Sequence, residues 1–143
     1  MIKSRDKIRS KSEDTSYMLK EGQKNFILGL DDCVCKKNKN LVISRMTARD
    51  AKAAKEVPGA REWVNSKFEE GHYVCFFTAR PERLRKATVA WLDEHGFKYH
   101  SLVMNKPEAR NYHYIDDRHV QATTFKGRFT PLVRKEHWIQ IFG

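Results

Sequence analysis

The sequence contains Phe26-Ile27-Leu28-Gly29-Leu30-Asp31-Asp32-Cys33-Val34-Cys35, a stretch in which an apolar run leads directly into two carboxylates. The uninterrupted apolar run over residues 26–30 predicts a strand that is covered on both faces, as strands of parallel sheets are. A similar pattern returns at residues 114–118, where the sequence reads YIDDR. Because ligands of parallel sheets bind beyond the carboxyl ends of the strands, these two stretches indicate where the chemistry lies.

The composition bounds the class of protein. The chain has 143 residues, of which 40% are hydrophobic, which is enough for one buried core. We expect a basic N-terminal arm over residues 1–24 and a single domain over residues 25–143. No apolar run in the sequence approaches the ~20 residues that span a bilayer, and the N-terminus lacks the apolar region of a signal peptide. These features predict a cytoplasmic protein with no membrane partner, and they carry no signal for its oligomeric state.

The charge of the chain is strongly basic and unevenly distributed. The formal net charge is +10, which indicates an anionic partner such as a phosphorylated metabolite or a nucleic acid. Residues 36–55, which we call the basic segment, carry seven Lys or Arg residues against one acidic residue, Asp50. The alternative interpretation is a solvated basic loop that contributes only solubility.

The cysteines and histidines give no metal pattern. The chain has three cysteines, which are Cys33, Cys35 and Cys75. An odd number cannot form a closed set of disulfides, and their spacing fits neither a redox pair nor a zinc site. We therefore expect reduced cysteines that serve in packing. The six histidines are scattered without metal-ligand spacing.

Two helices are bounded by proline and glycine. The first is predicted to begin at Pro58 and to stop at Gly71, with apolar residues at helical spacing between them. The second is predicted to begin at Pro81 and to end before Gly96. A shorter basic helix is also consistent with residues 47–56, with its charges facing water.

Strands alternate with these helices. Apolar runs predict strands at residues 26–30, 73–77, 99–104 and 112–115, and alternation predicts a closing edge strand at residues 138–142. This order predicts an α/β fold, a Rossmann-like doubly wound parallel sheet with right-handed crossovers. The ligand crevice of such a sheet lies beyond the carboxyl ends of its strands.

Polar residues follow each predicted strand at that edge. They are Asp31-Asp32, Thr78-Ala79-Arg80, Asn105-Lys106 and Asp116-Asp117-Arg118. Several carboxylates at one point repel one another and need a cation, and oxygen ligands of this kind suit Mg²⁺. The hydroxyl of Thr78 and the point charge of Lys106 are suited to phosphate oxygens.

With these four motifs the chain resembles the haloacid dehalogenase superfamily of phosphatases and phosphotransferases over roughly residues 26–125. Members carry a strand ending in Asp-x-Asp-Gly-Thr/Val, a second ending in Thr or Ser, a Lys, and a strand ending in paired aspartates. Here those positions read Gly29-Leu30-Asp31-Asp32-Cys33, Phe77-Thr78, Lys106-Pro107 and Ile115-Asp116-Asp117. The resemblance implies a three-layer α/β/α domain. Residues 36–56 are too few for the lid domain that many members insert there, so we expect no lid.

The resemblance also implies a function, that of a Mg²⁺-dependent phosphatase acting on a phosphate monoester. It makes Asp31 the acid/base and assigns Thr78 and Lys106 to the phosphoryl oxygens. The implied phosphate-binding residues are Thr78, Ala79, Arg80 and Lys106, and the implied metal ligands are Asp31, Asp116 and Asp117. The partner would be a phosphorylated small molecule or macromolecule, with nucleic acid suggested by the net charge.

One position departs from that mechanism. The covalent route needs an aspartate nucleophile, and the position falls on Gly29, which cannot be phosphorylated. The alternative function is therefore a catalytically silent relative that binds a phosphorylated ligand or nucleic acid in the same crevice. A second register is also open, in which Asp31 is the nucleophile and Cys33 takes the acid/base position. We favour the first register because Val34-Cys35 matches the apolar residues that follow the family's loop.

Overall fold

The computed structural model describes residues 21–129 and the backbone of residues 137–138. The predicted N-terminal arm therefore falls outside the described residues up to residue 20. Of the edge strand predicted at residues 138–142, all but the first residue lies outside them as well.

Short strands alternate with helices along the described chain. The elements are β1 (Asn25–Leu28), β2 (Cys35–Lys36), α1 (Ala48–Ala53), β3 (Lys55–Glu56), α2 (Ala60–Glu69), β4 (Tyr73–Phe77), α3 (Arg85–Glu94), β5 (Ser101–Val103), β6 (Ala122–Thr123) and β7 (His137–Trp138). Single 3-10 turns lie at Ile43–Arg45 and Glu82–Leu84. No helix within the described ranges is long and apolar enough to cross a membrane.

The central sheet has three parallel strands in the order β1-β4-β5. Phe26 of β1 lies opposite Val74 of β4, and Phe76 of β4 lies opposite Leu102 of β5. The first four residues of β4 are buried, so both faces of this central strand are covered. The predicted mixed α/β fold with a parallel sheet is therefore confirmed. The two small antiparallel pairs are β2 with β3 and β6 with β7.

The helices begin and end close to the predicted residues. Helix α2 starts after Pro58 and Gly59, and α3 is followed by Gly96, which has a φ of 73°. The basic helix predicted at residues 47–56 is shorter, since α1 ends at Ala53 before β3 forms. Trp91 of α3 is 2% exposed, and its indole N–H donates to the Ala54 carbonyl at 2.8 Å. This bond fixes the end of α1 against α3.

One strand prediction is wrong, and one feature expected of another strand is not observed. Residues 112–115 form no strand, and Ile115 is 77% exposed. Local bonds hold the preceding turn instead, because the Tyr112 hydroxyl accepts from the Ala109 N–H at 3.0 Å and donates to the Pro107 carbonyl at 2.8 Å. The strand predicted at residues 26–30 forms as β1, but one of its faces is open in the described part of the chain, since Ile27 is 53% exposed. It is an edge strand there, because it pairs only with β4.

Candidate phosphate-binding site

A cavity of about 210 Å³ lies at the carboxyl ends of the three parallel strands, where the sequence predicted a crevice. We call it the strand-end cavity. The residues that line it are Gly29, Leu30, Asp31, Cys33, Ile43, Phe77, Thr78, Ala79, Lys106, Glu108, Ala109 and Tyr112. The structure therefore brings together Asp31, Thr78, Ala79 and Lys106, four of the predicted site residues.

The turn after β1 is tight and left-handed at one residue. The Leu30 carbonyl accepts the N–H groups of Cys33, Val34 and Cys35 at 3.0, 2.9 and 3.2 Å. Asp32 has a φ of 64°, a conformation that favours glycine and that aspartate tolerates. Of the two positions where the two registers put a glycine, Asp32 has a positive φ and Val34 does not.

Gly29 presents no side chain to the strand-end cavity. A Cβ atom at this position would lie 3.3 Å from the Cys33 Sγ, closer than an ordinary van der Waals contact. Burial raises the pKa of the Cys33 thiol, the nearby Lys106 charge opposing this in part, so the thiol is neutral and a poor nucleophile at neutral pH. Neither Gly29 nor Cys33 therefore provides an activated nucleophile to the strand-end cavity.

Asp31 lies in a buried bidentate ion pair with Arg80. The Arg80 Nε donates to Asp31 Oδ2 at 3.1 Å and Nη2 donates to Oδ1 at 2.9 Å. The Asp31 and Arg80 side chains are 5% and 2% exposed. The third nitrogen, Nη1, donates to Thr88 Oγ1 of α3 at 2.9 Å. Burial lowers the pKa of the Arg80 guanidinium, but the hydrogen bond and charge of Asp31 outweigh it and the net shift is upward.

The pairing gives Arg80 a different position from the one expected of a phosphate ligand. Its guanidinium contacts Asp31, Thr88 and Cys35, and it does not line the strand-end cavity. The sequence placed Arg80 beside Thr78 but did not show which way its side chain turns. The one available signal is Thr88, a hydroxyl on the buried face of α3 that needs a polar partner.

Thr78 and Lys106 are held together by backbone bonds across the strand ends. The Thr78 N–H donates to the Val103 carbonyl at 2.9 Å, and the Lys106 N–H donates to the Thr78 carbonyl at 2.8 Å. Thr78 Oγ1 accepts the Arg80 N–H at 3.1 Å, which leaves the hydroxyl proton able to bond an anion in the cavity. The Lys106 Nζ lies 4.8 Å from the centre of the Tyr112 ring.

Asp116 and Asp117 lie in an exposed segment. The Tyr114 hydroxyl donates to Asp116 Oδ2 at 2.6 Å and the Arg118 N–H donates to Oδ1 at 3.2 Å. The Tyr114 hydrogen bond, with smaller contributions from Asp117 and the Arg118 N–H, lowers the pKa of Asp116 to about 2. Neither aspartate lines the strand-end cavity.

Among the described residues the predicted Mg²⁺ ligands are not brought together, since Asp31 lines the strand-end cavity and Asp116 and Asp117 do not. Both carboxylate oxygens of Asp31 are bound by Arg80, and Gly29 offers no oxygen from a side chain. Among the residues that the structure describes, no three acidic, histidine or cysteine side chains are grouped so that they could hold a metal ion. Mg²⁺ is commonly held by one or two carboxylates, and the one carboxylate of the predicted set that lines this cavity, Asp31, has both oxygens paired with Arg80, so the set does not fit Mg²⁺.

Comparison with known proteins gives a fold but no family. No model of a known protein family matches the chain, and no curated protein matches it in sequence. An MCSG target protein from Vibrio cholerae matches in structure with a TM-score of 0.52 and 22% identity, over 68% of this chain and 83% of that one.

Two further matches are chains of the Pnkp1/Rnl/Hen1 complex, the second described as an RNA repair complex. Each has a TM-score of 0.51 and 17% identity over 68% of this chain, and the matched parts are 33% and 31% of those longer chains. At these identities the similarity shows a shared α/β fold.

Proposed function

We propose that the chain is a phosphatase-like protein of the haloacid dehalogenase type that binds a phosphate monoester in the strand-end cavity. The observation that carries this proposal is the convergence of Thr78, Ala79 and Lys106 on one cavity at the carboxyl ends of three parallel strands. A buried hydroxyl and a lysine ammonium are donors suited to phosphate oxygens, and parallel sheets bind ligands at this edge. The positive φ of Asp32 supports the first register, which puts the glycine of the family loop at Asp32 and the nucleophile position at Gly29.

In this proposal the ligand is bound but not hydrolysed through a covalent intermediate. Gly29 lies in the cavity wall where the nucleophile would stand, and Asp31 is held by Arg80. The phosphatase activity that the resemblance implies would therefore need a carboxylate restored at position 29. The chain as it stands is expected to be a phosphate-binding protein.

The partner that we propose is a phosphorylated small molecule or macromolecule. Nucleic acid is the second candidate, because most cations of the basic segment face solvent. The exposed ones are Lys36, Lys39, Arg45, Arg49, Lys52 and Lys55. The likeness in fold to chains of an RNA repair complex supports this candidate at the level of fold only. Neutralisation of nucleic-acid phosphates by such cations would make binding strongly dependent on salt.

Replacing Lys106 separates the two candidates. We expect Lys106→Gln to weaken binding of inorganic phosphate at least about tenfold, because it removes the ammonium that lines the cavity. Isothermal titration calorimetry measures the Kd. Lys52→Gln is the matched control, since it removes the same charge from the exposed surface of α1 and is expected to change the Kd less than about twofold.

The reverse ranking would contradict the cavity as the binding site. If Lys52→Gln weakens binding and Lys106→Gln does not, phosphate is held by the basic segment, as expected of a module that binds nucleic-acid backbone. If neither substitution changes a measurable Kd, Lys106 is not a phosphate ligand and the proposed site is wrong.

A further inference from the structure

We propose that the Arg80 guanidinium takes the place of a divalent cation beside Asp31, so that the strand-end cavity binds phosphate without metal. This inference rests on the proposed function, because it concerns the same cavity. It departs from the Mg²⁺ requirement that the sequence resemblance implies.

Arg80 occupies both carboxylate oxygens of Asp31. Each accepts one hydrogen bond from the Arg80 fork, at 3.1 and 2.9 Å, in the bidentate geometry that suits a carboxylate. A metal ion that approached Asp31 would have to displace a guanidinium that is 2% exposed. Breaking such a buried pair leaves an uncompensated charge, which is strongly unfavourable.

Arg80 is also fixed from behind. Its Nη1 donates to Thr88 Oγ1 of α3 at 2.9 Å, and its own N–H donates to Thr78 Oγ1 at 3.1 Å. The guanidinium is therefore anchored at the helix and the backbone is anchored at the strand end. These bonds do not depend on a ligand in the cavity.

A further feature of the cavity is the charge that remains for a ligand. The Asp31 and Arg80 charges offset each other, and Gly29 adds none. The other charged residues that line the cavity are Lys106 and Glu108, and Glu108 is exposed, where water and salt screen it. A phosphate that binds at the Lys106 ammonium therefore meets no uncompensated carboxylate at residue 29 or 31. A divalent metal ordinarily removes the repulsion between such carboxylates and phosphate.

The test compares phosphate binding with Mg²⁺ and with EDTA. We expect the Kd of the unchanged chain for inorganic phosphate, measured by calorimetry, to agree within about twofold in the two buffers. Binding with Mg²⁺ that falls at least about tenfold in EDTA would overturn the metal-free site and leave the proposed phosphate binding intact. No binding in either buffer would overturn both.

Two substitutions assign the effect to Arg80. Arg80→Gln leaves the Asp31 carboxylate uncompensated, so phosphate should bind about tenfold or more weakly in EDTA and regain affinity when Mg²⁺ is added. A merely structural role of Arg80 would weaken binding equally in both buffers, and that result would contradict the proposal.

Asp31→Asn keeps the inference testable if Arg80→Gln does not fold. This variant retains an oxygen that accepts from Arg80 and leaves the guanidinium without a counter-charge. We expect phosphate to bind about tenfold more tightly, again without dependence on Mg²⁺. Affinity that falls in Asp31→Asn would show that the carboxylate itself recruits a cation, and would overturn the inference.

Discussion

The substitution Gly29→Asp is expected to create phosphatase activity in a chain for which we expect little. The new carboxylate would stand in the wall of the strand-end cavity, next to the phosphate that we propose is bound by Thr78 and Lys106. It would attack phosphorus, forming an aspartyl-phosphate as the bond to the leaving oxygen breaks. A nucleophile commonly accounts for several orders of magnitude, so we expect a gain of at least about 10²-fold.

The assay uses p-nitrophenyl phosphate with Mg²⁺ in the buffer. Its leaving group departs as the anion, so the first step does not need a proton from Asp31. The covalent intermediate is sought by intact-protein mass spectrometry after brief reaction. A gain in p-nitrophenolate release together with a phosphorylated chain is the expected result.

Gly29→Asn is the matched control, because it has the shape of aspartate without a nucleophilic carboxylate. A Cβ at residue 29 would lie 3.3 Å from the Cys33 Sγ, so both substitutions are made in the Cys33→Ala background as well. Equal activity in the Asp and Asn variants would contradict the assignment of position 29. Robust activity of the unchanged chain that Asp31→Asn abolishes and Gly29→Asp does not improve would instead support the second register.

The second large effect is on stability. Arg80→Met is expected to lower the free energy of unfolding by about 3–5 kcal/mol, because it leaves the Asp31 carboxylate buried and unpaired. Urea denaturation followed by tryptophan fluorescence measures the loss. The double variant Asp31→Asn/Arg80→Met removes the unpaired charge, so it should be more stable than Arg80→Met alone.

A loss below about 1 kcal/mol in Arg80→Met would contradict the buried pair, since that value is typical of solvent-exposed ion pairs. Arg61→Met is a suitable control of the same chemistry. Arg61 lies 3.6 Å from Glu56, and its side chain is 46% exposed. We expect its replacement to cost less than about 1 kcal/mol.

The sequence predicted the fold best where local and tertiary signals agree. Strand β4 is an apolar run whose first four residues are all buried, so its continuous hydrophobicity reflects burial on both faces. Pro81 and Gly96 likewise bound the 3-10 turn and helix α3, because proline fixes φ and glycine readily adopts the positive φ that ends a helix. Three of the predicted strand ends consequently meet at one cavity.

The prediction of a strand was wrong at residues 112–115, where aromatic side chains form local hydrogen bonds and do not face a core. Residues 112–115 have the composition of a strand, but the Tyr112 hydroxyl bonds within its own turn and Tyr114 bonds Asp116. These local bonds cannot be distinguished in sequence from residues that face a core. The Arg80 pair was missed for a similar reason, because its partners Asp31 and Thr88 are 49 and 8 residues away.

An NMR titration of the unchanged chain with inorganic phosphate shows directly whether phosphate binds in the strand-end cavity. If the strand-end cavity is the binding site, the amide resonances of Leu30, Thr78, Ala79 and Lys106 should shift together and saturate. Resonances of residues 48–53 in α1 should move little, although this helix is basic. Shifts confined to α1 and the rest of the basic segment, with the resonances of the cavity residues unchanged, would show that phosphate binds outside the strand-end cavity.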